Sequence, residues 1–212
     1  MKKVTVAIQG SIGSFHDQVA THFFDGALEL VECQTFEESF SALADQKADY
    51  CVVAVENSNY GPINTNYKLI EDYRFKVVKE IDWKIELHLM ALPGTRMEDI
   101  QEIHSHPVAL GQCGKFLKEG IAALAVNAPN TAFAAREIAE GNIQNRAAIA
   151  NAATAEIYGL EIIKPLIQDT TEDFTRFYLL ERNTSPKNVL EIIFPTMHSI
   201  KTLKTTNNNA KH

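Results

Sequence analysis

The sequence has little of several features that would define its class. Only three cysteines occur among 212 residues, Cys33, Cys51 and Cys113, and they stand far apart with no C-x-x-C pair. This spacing argues against a disulfide framework and a cysteine zinc site, and it fits a reducing cytoplasm. No apolar run approaches the roughly 18 residues of a membrane span, and no small-residue cleavage site follows Met1. We therefore expect a cytoplasmic protein that does not enter a membrane.

The charge balance lacks a basic excess. Lysine and arginine number 20 against 27 aspartate and glutamate residues, a net charge of −7, and the basic residues are scattered. Nucleic acid and anionic membrane surfaces are therefore not expected partners. Hydrophobic residues make up 45% of the chain and charged residues 22%, which excludes disorder for its bulk, as well as collagen and coiled-coil structure.

Strand-like apolar runs alternate with helical patterns along most of the chain. Strands are predicted over residues 4–8, 28–31, 50–55, 76–81, 85–92, 122–126, 147–150 and 176–180. Helices are predicted over residues 15–24, 36–44, 64–73, 108–117 and 131–140. Such alternation with short connections is typical of α/β proteins. The predicted fold class is α/β, with two α/β subdomains around a central cleft.

The polar segment 82–84 and a Pro-Gly turn at 93–94 interrupt the pattern near its middle. We expect the chain to cross there into a second lobe and to return before the last predicted strand. The first subdomain is predicted to hold residues 1–80 and about 170–183, and the second residues 81–169. Residues 184–212 are expected to form a tail or the truncated start of a regulatory domain, with one more strand over 189–194.

A turn rich in glycine and serine, residues 10–14, separates the first strand from the first helix. Free backbone N–H groups at a helix start favour an anion, so Gly13 and Ser14 are candidate substrate-binding residues. The alternative is a tight turn in which Ser14 caps the helix and Asp17 completes a capping box. The third glycine of the dinucleotide fingerprint is missing, and no phosphate-loop motif occurs.

The apolar run 50–55 ends in Glu56, Asn57 and Ser58. Strand ends are where α/β proteins place ligands, which makes these three residues candidates for a site. A loop rich in turn formers is the alternative interpretation. Glu56 directly follows the run, and we expect it to be partly buried, where an uncompensated charge is costly.

The segment 104–107, His-Ser-His-Pro, precedes a predicted helix that carries Gln112. Ser105 and Gln112 are candidate binding residues, although Ser105 or His106 next to a proline can equally act as a helix cap. The H-x-H spacing invites a metal interpretation, but no His, Cys or carboxylate partner stands at a familiar ligand spacing. We therefore expect no metal site.

The polar loop 169–175 runs into the last predicted strand, where Arg176 precedes Phe177. Arg176 is either a surface residue that lies on its aromatic neighbours or a fork that grips a carboxylate with two hydrogen bonds. Nothing local decides between these two interpretations.

Taken in this order, the segments resemble the prephenate dehydratase family, enzymes that make phenylpyruvate on the route to phenylalanine. The resemblance covers residues 4 to 182. The matching stretches are Gly13-Ser14-Phe15, Val55-Glu56-Asn57-Ser58 with Gly61, Ser105-His106-Pro107 with Ala109, Leu110, Gln112 and Cys113, Ala147-Ala148-Ile149-Ala150, Tyr158-Gly159-Leu160, Ile167-Gln168-Asp169 and Thr175-Arg176-Phe177.

Three positions depart from the family pattern. Gly10-Ser11 stands where Gly-Pro is frequent, and His16 replaces the usual small hydroxyl residue. Asp173 stands where the family often has asparagine, which adds a negative charge near a site for an anion.

The resemblance implies two α/β subdomains, similar to periplasmic binding proteins, with the site in the cleft between them. The implied catalytic residues are Thr175, Glu56 and Asn57. Thr175 is expected to donate a hydrogen bond or a proton to the leaving hydroxyl group, with Glu56 as proton source or orienting group. The residues implied or expected to bind substrate are Arg176, Ser105, Gln112, Gly13, Ser14, Ser58 and Phe177. Of these, Arg176 is expected to grip the pyruvyl carboxylate.

The resemblance further implies decarboxylative dehydration of prephenate to phenylpyruvate, without metal, nicotinamide or other cofactor, by a homodimer. Two alternatives stay open, an arogenate dehydratase and a non-catalytic sensor of aromatic acids. Family members commonly continue into a C-terminal ACT domain that senses phenylalanine, whereas only 30 residues follow Arg182. Feedback control is therefore expected to be absent.

Overall fold

Two mixed β-sheets with their helices form the part of the chain that the computed structural model describes, residues 3–183. The first elements along the chain are β1 (Val4–Gln9), α1 (Phe15–Phe23), β2 (Leu28–Cys33), α2 (Phe36–Ala44), β3 (Tyr50–Asn57), β4 (Gly61–Pro62), α3 (Asn64–Tyr73) and β5 (Lys76–Lys84). They are followed by β6 (His88–Ala91), β7 (Glu102–Ser105), α4 (Pro107–Gln112), β8 (Leu124–Asn127), α5 (Thr131–Gly141), β9 (Arg146–Ala150), α6 (Ala152–Tyr158), β10 (Glu161–Lys164) and β11 (Phe174–Glu181). The predicted α/β class with two sheets is confirmed.

The strand β11 returns from the second sheet to complete the first. The first sheet has the order β2-β1-β3-β11-β5, in which β1 is parallel to β2 and β3, and β11 is antiparallel to β3 and β5. The short β4 pairs with β3 outside this path. The second sheet has the order β10-β6-β9-β7-β8, with β7 parallel to β8 and β9. Because carboxyl ends of parallel strands meet at one edge, the loops after β1 and β3 lie together, as do those after β7 and β9.

Both faces of each sheet are covered. Along β3, Val53 and Val55 pack with α2 and α3, while Val52 and Ala54 pack with α1. A strand buried on both faces needs apolar residues without alternation, which explains the run that predicted β3. In the second sheet, Leu89 and Ile149 face α4, whereas Met90 and Ala148 face α5.

Four of the five predicted helices lie within a residue or so of α1, α2, α3 and α5. Their first turns are fixed by local sequence in three cases, because Ser14, Thr35 and Asn130 cap α1, α2 and α5 through their side-chain oxygens. The amphipathic pattern and the cap thus point to the same boundaries.

Three predicted boundaries are wrong. The segment 82–84, expected to separate two strands, continues β5 because it pairs with residues 174–176 of β11. The predicted strand 85–92 shrinks to β6, which pairs with β9 and β10. The predicted helix 108–117 ends at Gln112, and a π-helix begins at Phe116 (Phe116–Gly120). Between them the backbone N–H of Lys115 donates to the Asp169 carboxylate at 3.0 Å, so a distant residue ends the helix.

Four further elements, β4, β7, α6 and β10, were not predicted. The strand β7 contains one large aliphatic residue, Ile103, and its partners β8 and β9 are supplied by later parts of the chain. The helix α6 has only two turns, but Asn151 caps it and Gly159 ends it at a φ of 65°. The strand expected over residues 189–194 lies outside the described residues.

The structure also bears on the two features that are scarce in the sequence, long apolar runs and cysteine. No helix between residues 3 and 183 is both long and apolar enough to cross a bilayer. The three cysteines are buried and free of disulfide bonds. Burial raises the pKa of the Cys51 and Cys113 thiols to about 12, which keeps these groups protonated and poorly nucleophilic.

His16 is expected to reduce stability in mild acid. Its ring lies against Phe36 and Phe177, and its Nε2 accepts a hydrogen bond from the Ala54 N–H at 3.3 Å. Burial lowers the pKa of His16 from 6.5 to about 4. Between these pH values the unfolded chain binds a proton that the folded chain does not, so stability falls as the pH drops through this window.

The measurement is urea unfolding of the wild type and the His16→Gln variant at pH 7 and pH 4.5. Glutamine offers an oxygen in place of Nε2 but does not titrate. We expect the wild type to lose about 2 kcal/mol more than the variant between the two pH values. Equal losses in the two proteins contradict a buried neutral imidazole.

Candidate active site

A cluster of hydrogen-bonded side chains lies where β3 ends beside the start of β11. Asn57 and Thr175 are partners in the antiparallel register. The Asn57 Nδ2 donates to Thr175 Oγ1 at 3.0 Å and to Asp173 Oδ1 at 2.8 Å. The Asn57 Oδ1 accepts the backbone N–H groups of Asn59 and Tyr60 at 2.9 and 3.1 Å. Its Nδ2 also lies 3.3 Å from the Phe174 carbonyl, so the amide oxygen faces two donors and the nitrogen three acceptors, which fixes the orientation of the amide.

The O–H of Thr175 is available to donate a hydrogen bond. Its oxygen accepts a hydrogen bond from Asn57, and no acceptor for its own O–H is found among residues 3–183. The residue is 9% exposed, at the edge of being buried. A ligand that reaches it therefore meets an oriented donor.

Asp173 connects this cluster to the second sheet. Its Oδ2 accepts a short hydrogen bond from Nε2 of Gln112, the last residue of α4. The carboxyl group thus receives one amide donor from β3 and one from α4, on opposite sides of the space between the sheets.

The Asp173 carboxyl is buried without a cation. The residue is 0% exposed, and its environment within residues 3–183 contains amide donors and no ion-pair partner. Burial raises the pKa of Asp173 above its ordinary value of 3.8, an effect that the hydrogen bonds from Asn57 and Asn59 partly oppose. The group therefore holds its proton more firmly than an exposed aspartate.

Glu56 and Arg176 lie on the other side of the same strand pair, since successive side chains of a strand point to opposite faces. The Arg176 Nε and Nη2 donate to the Asp82 carboxylate of β5 at 2.8 and 3.2 Å, and its Nη1 lies 3.6 Å from Glu56 Oε2. The hydrogen bond with Asp82 raises the pKa of the Arg176 guanidinium further. Arg176 does form a carboxylate fork, and the carboxylate in the fork belongs to the protein.

The loop after β1 uses its polar groups to dock the first sheet on the second. Gly13 has a φ of 88°, and its carbonyl accepts from Asn151 Nδ2 at 2.7 Å and Thr154 Oγ1 at 2.8 Å. The Gly13 N–H donates to the Asp17 carboxylate at 2.7 Å, and Ser14 Oγ accepts the Asp17 N–H at 3.3 Å. The structure therefore shows a turn and a helix cap here, with these groups occupied by protein contacts.

Three other predicted binding residues hold strands in place. The Ser58 N–H donates to the Phe174 carbonyl at 2.9 Å, and the Phe174 N–H donates to Ser58 Oγ at 3.0 Å. Ser105 is fully buried and donates to the Ile149 carbonyl at 2.6 Å. Phe177 is 2% exposed and meets the His16 ring edge-on. Among the predicted site residues, the structure brings together Asn57, Thr175 and Gln112 in one cluster and Glu56 and Arg176 in another.

The two histidines of the H-x-H pattern have protein partners. The His104 Nε2 lies 3.0 Å from Glu102, which also accepts from Arg146. The His106 Nδ1 accepts the Val108 N–H and caps α4. Between residues 3 and 183, no group of three or more His, Cys, Asp or Glu side chains is arranged to hold a metal ion.

Two polar residues of this region were not assigned to the site from the sequence. Asp173 stood out only as a departure from a family pattern, although its place directly before the last strand is a signal. Asn151 follows the predicted strand 147–150 directly, and a strand end followed by a cap residue was sufficient to identify it.

These observations define an α/β protein with a cluster of hydroxyl, amide and carboxyl groups between two sheets, the kind of place where small polar molecules bind. The prephenate dehydratase family model matches residues 6–185. The chain belongs to the prephenate dehydratase family, as the motifs predicted.

The relatives of the chain include proteins named as arogenate dehydratases, as prephenate dehydratases, or as both. Arogenate dehydratase/prephenate dehydratase 6 of Arabidopsis thaliana is 39% identical over 178 residues, 84% of this chain and 43% of that protein. The bifunctional N-acyl-homoserine lactone acylase/prephenate dehydratase of Komagataeibacter europaeus is 32% identical over 84% of this chain and 62% of its own. The chain thus spans less than half the length of the Arabidopsis relative.

Solved structures share the fold. The prephenate dehydratase of Arthrobacter aurescens, solved in complex with L-Phe, matches with a TM-score of 0.77 at 26% identity over 87% of this chain and 63% of that chain. The prephenate dehydratase of Staphylococcus aureus matches with a TM-score of 0.71 at 21% identity over 86% of this chain and 67% of that chain. The two-sheet arrangement is therefore that of the family.

Asn151→Asp is expected to destabilise the protein by about 1–3 kcal/mol, because a donor to a buried carbonyl is lost. The variant keeps the oxygen that caps α6, but a second oxygen replaces the Nδ2 that lies 2.7 Å from the Gly13 carbonyl. Chemical denaturation at pH 7 measures the change.

Asn130→Asp is the matched control. Asn130 caps α5 through its Oδ1, which accepts the Phe133 N–H at 2.7 Å, and aspartate caps a helix equally well. We expect this variant to stay within about 0.5 kcal/mol of the wild type. The same change in both variants would show that the contact between Gly13 and Asn151 adds no stability.

Proposed function

We propose that the chain catalyses the decarboxylative dehydration of prephenate to phenylpyruvate, carbon dioxide and water. The observation that carries this proposal is the Thr175 hydroxyl group, oriented by Asn57 and left with a free proton between the sheets. Membership of the family supports the class of reaction. Arogenate dehydration is the second candidate, because several relatives at 38–40% identity are named arogenate dehydratases.

The proposed reaction requires one proton, which the leaving hydroxyl group takes up. Prephenate bears a carboxylate and a hydroxyl group on its ring and a second carboxylate on its pyruvyl side chain. The bond from the ring to its carboxylate breaks, the electron pair moves through the ring, and the bond to the hydroxyl group breaks as the ring becomes aromatic. The hydroxyl group takes up a proton and leaves as water. Aromatisation drives the step, so no electron carrier is required.

The two clusters have separate roles in this proposal. Thr175 donates to the leaving hydroxyl group, Asn57 orients Thr175, and the partly exposed Gln112 faces the substrate from the second sheet. Glu56 and Arg176, on the opposite face, support the pairing of β11 with its neighbours. We place the reaction in the cytoplasm, which is supported by the buried, free cysteines.

Thr175→Val is expected to lower kcat by about 10²–10⁴-fold, because valine has the shape of threonine without the donor. Thr175→Ser keeps the hydroxyl group and is expected to retain most activity. Thr170→Val is the control, since the Thr170 hydroxyl is exposed and accepts only from Asn59. The assay follows phenylpyruvate formed from prephenate, and phenylalanine formed from arogenate, with EDTA present.

Each outcome of this assay has a meaning. Unchanged turnover in Thr175→Val overturns the role of Thr175. A higher kcat/KM for arogenate than for prephenate assigns the second candidate function. Absence of turnover with either substrate, with binding of both still measured by calorimetry, assigns a sensor of aromatic acids.

The role of Arg176 is tested through its internal partner. If Arg176 supports the sheet, Arg176→Leu and Asp82→Asn both leave KM within about twofold and lower stability by at most about 1 kcal/mol, as exposed ion pairs do. Asp99→Asn is the control, because Asp99 accepts two hydrogen bonds from Arg96 on an exposed surface away from the site.

The expectation that Arg176 grips the pyruvyl carboxylate predicts another pattern. Arg176→Leu would then raise KM about tenfold or more, since a charged hydrogen bond to substrate is lost. Asp82→Asn would lower KM, because it releases the guanidinium. Steady-state kinetics of the three variants separate the two patterns.

A further inference from the structure

Besides the Asn59 side chain, the Asp173 carboxyl group is bound by the amides of Asn57 and Gln112, and these two amides differ in their freedom to turn. The Asn57 amide cannot turn, because its oxygen already accepts two backbone N–H groups. The Gln112 amide is free to turn, because its Oε1 has no hydrogen-bond partner among residues 3–183 and the residue is partly exposed. Of these two amides, only Gln112 can therefore change its orientation.

The protonation state of Asp173 determines which atom of the Gln112 amide, Nε2 or Oε1, must face the carboxyl group. An ionised carboxylate only accepts hydrogen bonds, so Gln112 points its Nε2 at Asp173 and its Oε1 away. A protonated carboxyl has an O–H that needs an acceptor, and Gln112 Oε1 supplies one once the amide turns by half a rotation. The Gln112 NH₂ then points away from Asp173. Both arrangements keep the buried groups satisfied.

We propose that Asp173 is a positioning residue whose proton sets the orientation of the Gln112 amide, and thereby decides whether the site offers a donor or an acceptor to an anionic substrate. This inference rests on the proposed function for its substrate, a molecule with two carboxylates. With Asp173 protonated, the Gln112 NH₂ binds a substrate carboxylate. With Asp173 ionised, an amide oxygen and a buried negative charge oppose the same carboxylate.

The surroundings of Asp173 do not neutralise it. The titratable or charged groups on the elements around it include Cys113 next to α4, Asp169 and Glu172 in the preceding loop, Glu56 on β3, Arg176 on β11 and Lys84 at the end of β5. Arg176 is paired with Asp82, and Lys84 with Glu86. The raised pKa of Asp173 agrees with a proton held at higher pH than an exposed aspartate would hold it.

The sign of the pH effect follows. Substrate binding takes up a proton at Asp173, so KM rises as the pH increases above the pKa of this group, by up to about tenfold per unit. Asp173→Asn removes the effect, because its Oδ1 still accepts from Asn57 while its NH₂ donates to Gln112 Oε1. The variant is locked in the arrangement that offers a donor.

The first experiment compares KM for prephenate between pH 5.5 and 8.5, a range in which both substrate carboxylates stay ionised. We expect a rising KM in the wild type, a flat KM in Asp173→Asn, and a KM in the variant below that of the wild type at pH 8. Asp169→Asn is the matched control, since Asp169 lies in the same loop but accepts from the Lys115 N–H. It is expected to keep the wild-type slope, and a slope in Asp173→Asn equal to the wild type overturns the proposal.

Gln112→Met separates amide rotation from simple charge repulsion. Methionine has a similar length and no amide, so the variant retains the Asp173 charge and loses the rotating group. We expect a higher KM with a shallower pH dependence than in the wild type, because only the repulsion by the Asp173 charge remains. A slope as steep as that of the wild type assigns the effect to the charge alone and overturns the role of Gln112.

A measurement without substrate keeps the inference independent of the activity. Side-chain amide resonances of ¹⁵N-labelled protein, with Gln112 assigned from Gln112→Met, are followed across the same pH range. We expect the Gln112 signal to titrate in the wild type and to stay constant in Asp173→Asn. Titration without turnover of prephenate rejects the proposed function and leaves the coupling intact, whereas turnover with an invariant Gln112 signal overturns the coupling.

Discussion

The structure depends on the pairing of β11 with both β3 and β5. This strand reaches the first sheet only after the chain has built the second, so the loop that leads into it must lie where the sheets meet. Asp173, at the end of that loop, therefore contacts groups of both sheets. The register of the same strand places Thr175 opposite Asn57 and Arg176 opposite Asp82.

The alternation of a β-strand then divides the polar residues into two chemically different sets. Asn57 and Thr175 share the face that reaches Gln112, whereas Glu56 and Arg176 share the face that reaches Asp82. Ion pairs are thus kept away from the neutral hydroxyl and amide groups. A strong cation beside a departing carboxylate would stabilise it before the reaction, so this separation suits the proposed reaction, in which a carboxylate leaves.

The sequence predicted those helices and strands that are determined by nearby residues, through an amphipathic pattern, an apolar run or a capping side chain. The helices α1 and α2 have both an amphipathic pattern and a capping side chain, Ser14 or Thr35, and their bounds were correct to within one residue. The strand β7 has little apolar character, and the end of α4 depends on Asp169, more than fifty residues later in the chain. Such contacts join residues that are distant along the chain, so a short stretch of sequence does not predict them.

The candidate site was predictable to a similar degree. The motifs singled out Asn57, Gln112 and Thr175 together with Glu56 and Arg176. The period of two in a strand was available to separate Asn57 and Thr175 from Glu56 and Arg176, but that separation was not predicted. Burial of Asp173 was not predictable, because aspartate is ordinarily exposed and its two amide partners stand 116 and 61 residues away.

The position of β11 also governs how the chain must fold. While residues 88–164 are being synthesised, β3 and β5 have no strand between them, and each presents unpaired N–H and C=O groups. Because β3 is apolar on both faces, its open edge makes the nascent chain prone to pair with other copies of itself during this interval. The cluster of Asn57 and Thr175 forms when β11 inserts, so only chains that have completed both sheets possess it.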